Sequence, residues 1–283
     1  MSTRALVLGG GGSAGIAWES GLLLGLARAG VDISAPDLVV GTSGGSVVAV
    51  MLRAGMLTYQ RLAQMMQTGQ RGSGEALAFD AMAFYEMMQS AIQDGGDPQA
   101  ARARIGERAR GLQVSLPQQD WVEQIGSMLP EDWPQGALAI TAVDAESGEF
   151  TVFNSSSTVP LERAVAASCT VPSVYPLVEI DGRLYMDGGM RSSTNADVAV
   201  GHDKVLVVSC GPEQPVNPVG PTLTEAMQLL DAHGDALLLT GDEPSLRIFG
   251  TNPLDPATVE PAFAAGQAQA EACAADVLSF WTD

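Results

Sequence analysis

The chain has 283 residues, 46% of them hydrophobic and 17% charged, a balance that suits a single large globular domain and excludes a disordered chain. A formal net charge of −19 excludes a nucleic-acid-binding face and disfavours electrostatic docking on anionic lipid, so any membrane contact is expected to be apolar and transient. No stretch approaches the ~20 apolar residues of a membrane span, and the apolar run before the first glycines is too short for a secretory signal, so a cytoplasmic protein is expected.

The first element is the apolar run RALVL at 4–8, a short strand, followed by the glycines 9–12 and by helical spacing over 15–29 that stops at Gly30. A second strand, DLVVG at 37–41, runs through Thr42 and Ser43 into GGSVVAVMLRAGM, which is apolar nearly all round and reads as a buried helix. Two parallel strands joined by a helix open an α/β fold. From about 56 to 130 strand signals vanish. That segment reads as a helical insertion, carries Met56, Met65, Met66, Met82, Met87 and Met88, and has breaks at Gly72–Gly74 and 94–98. The methionines suit either an adaptable acyl pocket or ordinary core. Its arginine-rich run at 102–111 reads as a solvated helical face rather than a head-group site.

Strands resume with ALAITAVD at 137–144 and FTVFN at 150–154, a hairpin pair. Asp181-Gly182 marks a second hairpin ahead of Asp187, KVLVVSC at 204–210 a further buried strand, and 222–232 a helix. A short ALLLT strand, a loop with three prolines and an Ala-rich helix come next, so 211–283 reads as a C-terminal extension packed on the one domain, 1–283. Cys169, Cys210 and Cys273 are too scattered for a zinc site or disulfide scaffold and read as reduced and buried; no metal and no cofactor are expected.

Two glycine motifs compete for the chemistry. The first loop satisfies G-x-G-x-x-G through Gly10, Gly12 and Gly15, and G-x-S-x-G through Gly11, Ser13 and Gly15. Ser13 lies too far beyond its strand for a sharp turn. Gly41, Ser43 and Gly45 fit better, because Ser43 comes straight off a strand and the following helix aims its amides at any anion formed there. The base is less obvious. His202 reads as a surface turn residue and His233 as a partner of helix-terminal carbonyls, although the order Ser43, Asp187, histidine copies the α/β-hydrolases. Asp187 leaves a strand directly, and Gly188 and Gly189 beside it allow close approach to a reacting centre.

GGGSAG at 10–15, GTSGG at 41–45 and DGG at 187–189, with AASCTVPSVYP at 166–176, together resemble the patatin-like phospholipase family over roughly residues 5–210. The resemblance implies a three-layer α/β/α fold with a mostly parallel sheet. It also implies a serine lipid acyl hydrolase in which Ser43 attacks an acyl carbonyl and Asp187 takes its proton. The amides of Gly10, Gly11 and Gly12, with that of Gly44, would hold the oxyanion, and Gly15, Gly41, Gly45, Gly188 and Gly189 would be motif glycines. The expected partner is a lipid or other acyl ester. One departure stands out: relatives often carry Arg or Lys where this chain has Ala14. An inactive lipid-binding module of the same fold is therefore a second reading. A dinucleotide site on Gly10–Gly15 is a third, weakened because the end of the second strand holds Thr42 and Ser43 instead of an acid.

Overall fold

The computed structural model describes residues 2–61, 81–93, 97–212, 215–250 and 252–282; Met65, Met66 and the break at Gly72–Gly74 lie outside them. The first unit is β1 (Arg4–Leu8), α1 (Gly12–Arg28), β2 (Leu38–Thr42) and α2 (Gly44–Arg53). The insertion supplies α3 (Ala81–Gln93), α4 (Pro98–Gly111) and α5 (Gln118–Gly126). After it come β3 (Ala137–Asp144), β4 (Phe150–Phe153), α6 (Leu161–Ser168), β5 (Val178–Ile180), β6 (Arg183–Asp187) and β7 (Lys204–Ser209). The chain continues through α7 (Leu223–Asp231), β8 (Asp235–Thr240), α8 (Glu243–Phe249) and α9 (Val259–Thr282).

Among the described residues the strands form one sheet in the order β5-β6-β3-β2-β1-β7-β8, with β4 also paired to β3. The run from β3 to β8 is parallel, while β4 and β6 are antiparallel to β3, and β5 to β6. Side-chain alternation along the strands makes the layers. Leu6, Leu8, Val39, Leu138, Ile140, Leu206 and Val208 pack with α1, α2, α5, α6 and α9 on one side. Ala5, Val7, Val40, Ala139, Val205 and Val207 meet Leu223, Ala226 and Leu230 of α7 on the other. The result is the mixed, mostly parallel sheet between helices that the motifs imply.

Helix α1 packs one apolar face on the sheet and another on α9. The two helices touch backbone to backbone: a Cβ on Gly266 would lie 2.2 Å from the Trp18 carbonyl oxygen. Lys204, the sole lysine, is buried and donates through Nζ to the Phe280 carbonyl near the end of α9.

In the insertion, Asp97 caps α4 through the Ala100 amide, with Pro98 in the first turn, as a helix start requires. Arg102 corrects the expectation of a solvated arginine face. It is buried and donates to the carbonyls of Gly148 and Val219, which ties α4 to the β3–β4 turn. The methionines divide by face: Met87 packs with Val143, Met186 and Met190, while Met82 is exposed. Cys169 and Cys210 are buried, but Cys273 on α9 is only half-buried, packed against the rim of the main core.

Strand β3 acts as the ruler of the site. β4 occupies residues 140–143 on one edge, so β2 and β6 must share the other. Thr42, the last residue of β2, stands opposite Thr141, and Asp187, the last of β6, stands opposite Ala142. Two strands of opposite direction thus end facing each other on consecutive residues of β3.

Candidate active site

Ser43 follows β2 at once and turns the chain into α2 with φ 53° and ψ −127°. A positive φ at a non-glycine residue costs ~1–3 kcal/mol and persists only where surroundings over-determine it. Here the Ser43 amide donates to Ser168 Oγ at 2.9 Å, and its carbonyl accepts from the Ser46 amide at 2.8 Å and Ser46 Oγ at 2.6 Å. The flanking glycines let α2 sit on the end of β1: a Cβ on Gly45 would stand 2.3 Å from the Leu8 carbonyl oxygen, and one on Gly41 2.5 Å from Ser46 Cα.

Where β2 and β6 converge, Ser43 Oγ donates to Asp187 Oδ2 at 2.7 Å. Ser43 is 8% exposed and Asp187 2%. The other carboxylate oxygen, Oδ1, accepts from the Gly189 amide at 2.7 Å, and the Asp187 amide donates to the Thr170 carbonyl at 2.9 Å. The end of α6 and the turn after it therefore brace both residues, Ser168 holding the serine and Thr170 the aspartate. Burial pushes the Asp187 carboxyl up to about 7, against the opposing pull of the Ser43 and Gly189 hydrogen bonds. Such a carboxylate is a far better base near neutral pH than an exposed one. Burial, and then the Asp187 charge, push the neighbouring Cys169 thiol up, so it stays protonated.

The glycine loop lies against this pair. A Cβ on Gly10 would sit 3.1 Å from Ser43 Cβ, and one on Gly44 would sit 2.9 Å from the Gly12 carbonyl oxygen. The Gly10 amide, expected as an oxyanion donor, is already given to the Ser193 carbonyl at 2.7 Å, and the Gly9 amide to Val208 at 3.0 Å. Gly10 is thus a bare wall beside the serine. Gly11 and Gly15 make room for Cys210, whose Sγ would stand 2.3 and 2.8 Å from a Cβ at those positions. Gly188 lies on Thr141, with a Cβ there 2.3 Å from its Oγ1. Glu19 on α1 is fully buried, and burial holds its carboxyl well above the usual range.

Several positioning groups carry no sequence motif. Buried Asn195, in the left-handed region at φ 48°, donates through Nδ2 to the carbonyls of Ser192 and Gly188 and reaches Thr42 Oγ1 at 3.1 Å, which stitches the Asp-Gly-Gly turn to the end of β2. Trp121 of α5 stacks on Tyr175 and donates to Thr170 Oγ1, fixing the bracing segment from outside. Ala14 points into the main core, and its amide donates to the Pro253 carbonyl at 2.9 Å, so a cation at that position would enter apolar packing.

The histidines are placed elsewhere. Nδ1 of His202 lies 2.9 Å from the Ala199 carbonyl oxygen, and Nδ1 of His233 2.9 Å from that of Leu229. Asp37 accepts the Arg4 amide at the start of β2, the wrong end for a ribose in a dinucleotide crevice. Among the described residues no cluster of three His, Cys, Asp or Glu side chains forms a metal site, and no helix is long and apolar enough to cross a membrane.

The family model described as patatin-like phospholipase matches residues 6–200. Among solved structures, VipD from Legionella pneumophila is 14% identical with a TM-score of 0.45, the alignment covering 98% of this chain and 67% of that one. The type III effector protein ExoU is 16% identical with a TM-score of 0.39, covering 95% of this chain and 54% of that one. No curated protein matches the chain. The family match takes in both strand-end turns, the glycine loop and the strands β2, β3 and β6 that align them, and the chain belongs to the patatin-like phospholipase family.

Proposed function

We propose that this protein hydrolyses acyl esters of lipids through an acyl-enzyme on Ser43, with Asp187 as the general base. The observation that carries the reading is the 2.7 Å hydrogen bond from Ser43 Oγ to Asp187 Oδ2, on a strained elbow and with both side chains buried. Ser43 Oγ attacks the acyl carbonyl as its proton passes to Asp187 Oδ2, leaving a tetrahedral oxyanion. The amides of Gly11, Gly12 and Gly44 are the donors for that oxyanion, since those of Gly9 and Gly10 are spent on Val208 and Ser193. Collapse breaks the ester C–O bond, and Asp187 returns the proton to the departing alcohol. Water then gives a proton to Asp187 and attacks the acyl-serine, releasing the carboxylic acid and restoring the Ser43 hydroxyl.

The donors are all backbone groups, so Ala14 does not remove them, and this favours a hydrolase over an inactive lipid-binding module. Exposed Met82 and Tyr85, three residues apart on α3, suit brief apolar contact with a lipid surface. The test is a fluorophosphonate probe with mass-spectrometric mapping, together with hydrolysis of short-chain acyl esters. Labelling at Ser43, lost in Ser43→Ala, and hydrolysis lost in both Ser43→Ala and Asp187→Asn are expected. Labelling at Ser13, or lipid binding with no labelling at all, overturns the proposal.

A further inference from the structure

The outer side of the glycine loop is closed by residues that lie beyond the family match. The segment 252–255 crosses the first turn of α1, where the Pro253 carbonyl takes the Ala14 amide at 2.9 Å. A Cβ on Gly12 would stand 2.8 Å from Leu254 Cδ2 and 2.9 Å from the Pro253 oxygen, so the leucine side chain lies directly on Gly12. On its other side Gly12 meets Gly44, the residue after the nucleophile. Ser43, Gly44, Gly12 and Leu254 therefore form one continuous row.

The segment is braced by its own turn and by the helix that follows it. The Leu254 amide donates to Asn252 Oδ1 at 3.1 Å, and the Asp255 amide to the Asn252 carbonyl at 3.2 Å. Asp255 then caps the turn that leads into α9, accepting from the Ala257 amide at 2.9 Å, and α9 packs along α1. A strap fixed to α1 keeps one position relative to Gly12 at that helix's first turn. Leu254 is only half-buried, so part of its side chain stays accessible while Cδ2 lies on Gly12.

We infer that Leu254 forms a wall of the acyl-donor site and sets how bulky an acyl group the site accepts. The inference rests on the Ser43 reading and deepens it. An acyl carbonyl whose oxygen meets the Gly12 and Gly44 amides carries its chain past this leucine. An apolar wall beside the reacting carbon favours acyl chains over charged substituents, and its size limits them.

The experiment compares kcat/KM for 4-nitrophenyl acetate and 4-nitrophenyl octanoate in wild type, Leu254→Ala and Leu254→Trp, with fluorophosphonate labelling of Ser43 on the same preparations. The octanoate-to-acetate ratio is expected to rise about tenfold in Leu254→Ala and to fall about tenfold in Leu254→Trp. Should Leu254→Trp lose the wild-type melting transition, Leu254→Phe carries the same test with the same sign. Variants that label at Ser43 with ratios within about twofold of wild type overturn this inference alone. Wild type that fails to label at Ser43 removes the catalytic reading and this inference with it.

Discussion

Replacing Asp187 by Asn removes the titration that burial of this carboxylate imposes on folding. The gap between the ordinary 3.8 and about 7 corresponds to about 4 kcal/mol, spent on holding an ionised carboxylate in a buried position. The direction follows from the raised value. In the wild type this cost is absent below 3.8, grows as pH rises through the window, and is complete above about 7. The amide of the Asp187→Asn variant does not titrate, so the variant gains on the wild type as pH rises. Between pH ~5.5 and ~8.5 that gain grows by about 2 kcal/mol, the rest having accumulated at lower pH. Urea unfolding of both proteins at the two pH values measures it directly. Activity runs the other way: the ionised base makes wild-type kcat/KM climb tenfold per pH unit below about 7 and level off above it. A stability difference that is the same at both pH values within about 0.5 kcal/mol, or a kcat/KM profile with its midpoint near 4, would refute burial of an ionising Asp187.

Three further outcomes are expected. Ser43→Gly relieves the positive φ and raises stability by about 1 kcal/mol in denaturant unfolding while abolishing hydrolysis and probe labelling. Gly45→Ala forces a methyl group to 2.3 Å from the Leu8 carbonyl oxygen, so it costs at least ~2 kcal/mol in thermal unfolding and lowers the rate of Ser43 labelling. His202→Ala and His233→Ala each retain the wild-type pH profile of kcat/KM, because both rings sit at backbone carbonyls; loss of hydrolysis in either variant would contradict a serine and aspartate pair.

The parts of the molecule legible in the sequence are those that local chemistry dictates. Ser43 stands between a β-branched run and a glycine-flanked helix start, and that pattern alone fixes a sharp turn after a strand. Asp181-Gly182 marks its hairpin, with both residues at positive φ, and so places Asp187 at the end of β6. Thr222 and Glu225 form a capping box at the start of α7, in keeping with the helix expected over 222–232. The braces are not legible, because they depend on which face of one element meets another. Ser168 and Asn195 look like any small polar residues until α6 and the 188–195 turn are folded beside β2. Gly10 has the same letter as Gly11 and Gly12, yet its amide is spent on Ser193, a residue 183 positions away whose place only the tertiary fold decides. Arg102 shows the same limit: an arginine run gives its charge but not which member faces inward.

The end-to-end meeting of β2 and β6 on β3 also decides when during folding the site can exist. Ser43 and Asp187 are 144 residues apart, and nothing local brings them together. The β1–α1–β2 unit can form early from neighbouring contacts, but the partner aspartate arrives only once β3 has paired with both β2 and β6. A slip of one residue in the β3–β6 register would displace Asp187 by ~3.3 Å, more than the whole length of its hydrogen bond to the serine. Catalytic competence is therefore a late and all-or-none reporter of correct strand registration, and recovery of Ser43 reactivity during refolding should trail the return of helical signal.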